Sequence, residues 1–193
     1  MRLTLFILLA TGPVGAIDVL YFHIWKFRLY TRPQSAKEQV AHLVRDLVAP
    51  SIFTFLLIGR PEGACFWFVA ALFAADTINS LIDTMLEPAS RAPIGVPPAE
   101  LALHFIGASA MGAAWATFMM SGWVTRNAPA VLRPDTGLPR AIVLLAWSGV
   151  AIAFAILLLE TTLFVRPRLG GRRARPSPVA PDQISDSRGP GAH

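Results

Sequence analysis

A single cysteine, Cys65, stands among 193 residues, which excludes an internal disulfide and any Cys-x-x-Cys metal or redox motif. Lysine is almost as scarce: only Lys26 and Lys37 contribute to the 17 basic residues. Charged residues make up 15% of the chain, 54% are hydrophobic and the mean hydropathy is +0.52, which excludes an ordinary soluble domain. The formal charge of +5 sits largely in the tail and beside apolar segments, so the partner it implies is anionic lipid and not nucleic acid. Scarce lysine beside abundant Ala, Pro and Gly suggests a GC-rich bacterial gene.

What the chain does have is long apolar runs. Five segments, near residues 3–25, 40–58, 64–86, 101–124 and 141–165, each reach the length of about 20 residues that a helix needs to cross a bilayer. The expected fold class is all-α: a polytopic membrane helix bundle over residues 1–165, followed by a disordered, basic, cytoplasmic tail over 166–193. Val14-Gly15-Ala16 resembles a signal-peptidase site, but the apolar run continues through Trp25, so the first segment is read as a retained helix kinked near Pro13. Residues 59–63 are expected to be a tight external turn, and residues 125–139 a polar loop with a turn at Pro134-Asp135-Thr136-Gly137.

Basic residues cluster in the first connection (Lys26, Arg28, Arg32, Lys37), the third (Arg91) and the tail (Arg166, Arg168, Arg172, Arg173, Arg175). The positive-inside rule then places the amino terminus outside and the carboxyl terminus in the cytoplasm of a bacterial inner membrane. In that orientation Asp18, His23, Glu38, His42, Asp83, Glu87, Glu100 and His104 all lie toward the cytoplasmic face.

A motif occurs twice. Glu38 and His42, and again Glu100 and His104, sit four residues apart at the start of an apolar helix, so each pair shares one helical face. The approach is also repeated: Asp18, His23, Arg28 and Pro33 precede the first pair, and Asp83, Glu87, Arg91 and Pro97 precede the second. Two parallel-related hairpins forming a four-helix core, with the fifth helix outside, are the expected arrangement.

Ionisable groups within a membrane cost about 2.5–3.5 kcal/mol each on insertion scales and therefore seek partners. Asp76, Asn79, Ser80, Asp83 and Glu87 form one stripe on the third helix, and Arg45 is expected to neutralise Asp46 or Asp76. A metal would neutralise several carboxylates at once. The candidate ligands are His23, Glu38, His42, Asp83, Glu87, Glu100 and His104, a mixed set suited to iron, manganese or zinc. Asp83 and Asp76 are the candidate catalytic carboxylates. Asp18 lies five residues from His23, about 140° around a regular helix, so it is assigned to orienting an imidazole or capping a kink.

The leading reading is a membrane metalloprotein, with a binuclear centre, acting on a lipid or other apolar substrate. Iron would imply an oxidoreductase. Zinc would imply a hydrolase with a carboxylate such as Asp83 as base. The alternatives are a b-type haem carrier ligated by His42 and His104, a small proton- or cation-coupled transporter using Asp76 and Asp83, and a non-catalytic accessory subunit; a homo-oligomer suits any of them. The residues from Gly107 to Ala114 read as a small-residue helix-packing surface, and Trp25, Trp67, Trp123 and Trp147 as interfacial anchors.

Overall fold

The computed structural model describes residues 1–93, 95–134 and 137–171, and the chain is mostly helical. Five helices carry the apolar segments: α1 (Arg2–Ile17), α2 (Ala36–Ile58), α3 (Ala64–Ser90), α4 (Pro98–Gly122) and α5 (Arg140–Gly171). α1 runs directly into a π-helical segment, Asp18–Lys26, and with it forms one 25-residue span. All five spans are long and apolar enough to cross a membrane. Pro13 lies within α1, and the departure from α-helical winding comes at Asp18.

The helices do not pair mainly with their hairpin neighbours. α1 packs chiefly on α4, α2 is held between α3 and α5, and the α1–α2 and α3–α4 contacts are slighter. This is what two repeated hairpins produce when the first helix of each lies against the second helix of the other. α5 rests on α2 and more lightly on α1.

One half of the bundle is an apolar core. Leu5 and Leu8 of α1, Ile52 and Leu56 of α2, Phe66 and Phe73 of α3, and Phe118 of α4 are buried there together. Phe66 and Phe118 stack with ring centroids 4.9 Å apart. A Cβ on Gly122 would lie 2.6 Å from the Phe66 ring, so glycine is what lets α4 close on α3 at this end.

The two connections expected to be external differ from their sequence reading. Residues Arg60–Glu62 (β1) and Val131–Arg133 (β2) form an antiparallel pair with Pro61 opposite Leu132. Glu62 is buried and its Oε2 accepts from Arg133 Nε at 2.8 Å. The turn and the polar loop therefore satisfy each other's backbone groups, a pairing between distant residues that no local pattern announces. The Pro134–Gly137 turn falls partly outside the described residues.

At the other end α5 continues to Gly171, past the expected boundary at residue 166. Arg168 donates to the Phe164 carbonyl at 2.7 Å and lies over the Phe164 ring, placing a cation in the last turn of the helix. The expected tail from residue 172 onward, with Arg172, Arg173 and Arg175, lies outside the described residues.

Candidate metal centre

The polar stripe of α3 faces inward. Asp76, Asn79, Asp83 and Glu87 are all buried, and Asn79 Nδ2 donates to the Ala41 carbonyl of α2 at 2.8 Å. The Glu/His pairs open α2 and α4 at the same end of the bundle, where the π segment of the first span ends. Glu38, His42 and Glu100 are buried and His104 is half-buried.

The π winding settles the position of Asp18. Bonds from residue i to i+5, such as Phe27 N–H to the Phe22 carbonyl at 2.9 Å, need more residues per turn than the 3.6 of an α-helix. Residues five apart therefore come onto one face, and Asp18 Oδ2 lies 3.9 Å from His23 Nε2. Asp18 Oδ2 hydrogen-bonds His104 Nε2 at 3.0 Å, in keeping with its assignment to orienting an imidazole, and it also stands in a group that could hold a metal ion.

Two groups result, each with its donor atoms within 4.8 Å of one another: Asp18, His23, Glu100 and His104 in one, and His23, Glu38 and His42 in the other. In the first, Asp18 Oδ2 is 3.0 Å from His104 Nε2, and Glu100 Oε1 is 3.5 Å from His23 Nε2. In the second, Glu38 Oε1 is 4.0 Å from His42 Nε2. The rings of His23 and His42 meet edge to face at 4.0 Å. Donors bound at about 2.0–2.2 Å to one ion lie roughly 3–3.5 Å from each other; the spacings here run from 3.0 to 4.0 Å, so the wider pairs would have to close on an ion.

Several of these buried atoms have no hydrogen-bond partner among the described residues: Asp18 Oδ1, His23 Nε2, His42 Nε2, Asp83 Oδ1 and Glu100 Oε2. Buried polar groups left in this way are costly, and an ion accepted by several of them at once removes the cost. The unpartnered atoms among them suit a divalent metal, while Asp18 is hydrogen-bonded to His104 and both glutamates to Arg91.

Asp83 and Glu87, expected as ligands, stand beside the two groups. Asp83 Oδ2 is 3.2 Å from His42 Nε2, and Glu87 Oε1 is 2.7 Å from His104 Nδ1. Glu87 thus holds the ring nitrogen turned away from Asp18, the position of an outer carboxylate that fixes an imidazole. Asp76 is buried on α3 but is in neither group. Arg45 makes no hydrogen bond and no ion pair within 4.0 Å among the described residues, but its charge acts on both Asp46 and Asp76, the two carboxylates it was expected to neutralise. Asp46 faces Glu160 of α5, carboxyl to carboxyl.

Arg91 is the cation that pairs with the glutamates of both motifs. It follows α3 and is wholly buried. Nη1 donates to both oxygens of Glu38 at 2.7 and 2.9 Å and to Ser90 Oγ at 2.9 Å, while Nη2 donates to Glu100 Oε1. One guanidinium therefore ties together the glutamates of both motifs. Burial opposes its charge, but the Glu100 and Glu38 carboxylates outweigh that and raise its pKa above the ordinary arginine value. Phe27 lies beneath the guanidinium, 5.0 Å from ring centroid to Cζ.

Asp18, His42, Arg45, Asp46 and His104 also form the polar end of a cavity of about 480 Å³ lined mainly by apolar residues of α1, α2, α4 and α5. Gly107, read as part of a packing surface, borders this cavity, while Ala114 does lie in the apolar core. Comparison with protein families, with curated proteins and with solved structures finds no match for the chain.

Proposed function

We propose that this chain is a multi-pass inner-membrane metalloenzyme whose two-ion centre, near the cytoplasmic face, acts on a lipid or other apolar substrate held in the adjoining cavity. The observation that carries this reading is the pair of buried carboxylate/imidazole groups that share His23 and border an apolar cavity. Asp18, His23, Glu100 and His104 hold one ion, and Glu38 and His42 the other. Asp83 stands next to His42 as the candidate base, and Glu87 orients His104. Two ions side by side would polarise a polar group of the substrate and neutralise the surrounding carboxylates. Iron in the centre makes the protein an oxidoreductase and zinc a hydrolase, so the identity of the metal selects the reaction. A haem between His42 and His104 finds less support, because carboxylates face both rings.

Metal content by mass spectrometry on detergent-purified protein tests the reading against a His42→Ala/His104→Ala variant. About two transition-metal ions per chain, lost in a variant that still folds, are expected. Metal-free wild-type protein purified without chelators overturns the metalloenzyme reading.

A further inference from the structure

Each proposed ion lies between one pair of closely packed helices. The first has Asp18 and His23 on the first span and Glu100 and His104 on α4. The second has Glu38 and His42 on α2, with Asp83 beside them on α3. The two sets differ in how many donor atoms are free. Asp18 Oδ1, His23 Nε2 and Glu100 Oε2 are buried and without a hydrogen-bond partner among the described residues. Glu87 Oε1 stands 2.7 Å from His104 Nδ1, which leaves His104 Nε2 on the side of Asp18. Four residues thus offer one atom each, enough for a complete tetrahedral shell.

Glu38 is engaged where Glu100 is free. Arg91 Nη1 donates to both oxygens of Glu38, at 2.7 and 2.9 Å, whereas the guanidinium bonds only Oε1 of Glu100. His23 cannot serve both ions through one atom, because a ring nitrogen has a single lone pair. Among the described residues the carboxylate oxygens within 4.0 Å of His23 Nε2 belong to Asp18, at 3.9 Å, and Glu100, at 3.5 Å, which puts that nitrogen with the first ion. The second ion is left with His42 Nε2, also unpartnered, the Asp83 carboxylate 3.2 Å from it, and a glutamate already neutralised by arginine. Fewer free donors mean open coordination positions, the mark of a metal that takes an outside ligand. His42 also lines the apolar cavity, so those positions are within reach of what the cavity holds.

We infer that the two ions are inequivalent. The site of Asp18, His23, Glu100 and His104 fills first and retains its ion; the site of Glu38 and His42 takes a second, exchangeable ion whose open positions bind an outside ligand. The inference rests on the metalloenzyme reading and adds to it the ion at which a substrate group coordinates.

Titration of the full chain with cobalt(II), after treatment with a chelator and reconstitution in nanodiscs, tests this through the visible absorption of the bound ion. Wild-type protein should bind one ion at least about tenfold more tightly than the next. Azide, a small anionic ligand, should change the spectrum of the two-ion form and leave that of the one-ion form unaltered. Asp18→Asn should weaken the tight phase and Glu38→Gln the weak phase alone, with thermal unfolding reporting that each variant folds. Should either variant unfold, the wild-type titration and its azide response decide by themselves. Two ions of equal affinity, or an azide response already complete with one ion bound, overturn the inequivalence and keep the metalloenzyme. Saturation at a single ion overturns the inference and reduces the centre to one metal. Absence of any cobalt binding overturns the inference together with the metalloenzyme reading on which it rests.

Discussion

The two hairpins, α1–α2 and α3–α4, carry the same elements and use them differently. Across the bundle they match: His104 of the second meets Asp18 of the first, and His42 of the first meets Asp83 of the second, at 3.0 and 3.2 Å. Within each hairpin they match again, with His23 beside His42 and Glu87 beside His104. The loops then part company. Arg28 of the first is exposed, in a left-handed conformation with φ of 48°, and its neighbour Phe27 turns inward. Arg91 of the second turns inward itself, onto the Phe27 ring and between both glutamates. A repeated frame thus gains its asymmetry from two substitutions of role: an imidazole in the first hairpin where the second has Glu87, and a buried arginine in the second where the first has an aromatic ring.

The largest expected consequence lies in the arginines. Arg91→Met leaves Glu38 and Glu100 buried without their cation and should cost about 3–5 kcal/mol of stability, whereas Arg28→Met should change it by less than about 0.5 kcal/mol. Thermal and denaturant unfolding in detergent measure both. Combining Arg91→Met with Glu38→Gln and Glu100→Gln should recover most of the loss, because the buried charges disappear together. Equal effects of the two arginine variants would show that the loops are interchangeable after all.

Next comes the exchange of His23 for Glu87. His23 belongs to both groups, so His23→Ala should bring metal content below about one ion per chain. Glu87→Ala removes only the carboxylate behind His104 and should retain the ions with about 10–100-fold lower affinity. Competition with a calibrated chelator separates the two. If both variants release metal at the same chelator concentration, His23 is not the shared member.

These comparisons also show which parts of the molecule a linear pattern can carry. The five spans are legible because apolar run length reflects bilayer thickness. Glu38 with His42, and Glu100 with His104, are legible because four-residue spacing places side chains on one α-helical face. The approach of Asp18 to His23 was missed because that same rule assumes α winding, although the aligned repeat holds the signal: Asp18 to His23 spans five residues where Asp83 to Glu87 spans four. The inward turn of Arg91 and the β1–β2 pairing depend on contacts distant in sequence, and neither leaves a local periodicity.

The smallest expected effect probes that one-residue difference. If the π segment accommodates an extra residue in the first hairpin, removing one residue between Asp18 and His23 should return the segment to α winding. Tyr21 is suitable because it is exposed and contributes no donor to the centre. After its deletion Asp18 and His23 would stand four apart on one α-helical face, the spacing of Asp83 and Glu87. Stability should then change by no more than about 1 kcal/mol, since one exposed side chain is lost while i→i+4 bonds replace i→i+5 bonds. Metal content should stay near that of the parent. A deletion within α3 between Asp83 and Glu87 has no wider turn to absorb it, rotates Glu87 away from His104 by about 100°, and should weaken binding as Glu87→Ala does. Loss of both ions from a folded Tyr21 deletion would instead mean that the π winding itself sets the ligand geometry, and that the first hairpin is specialised along its whole inner end rather than by one inserted residue.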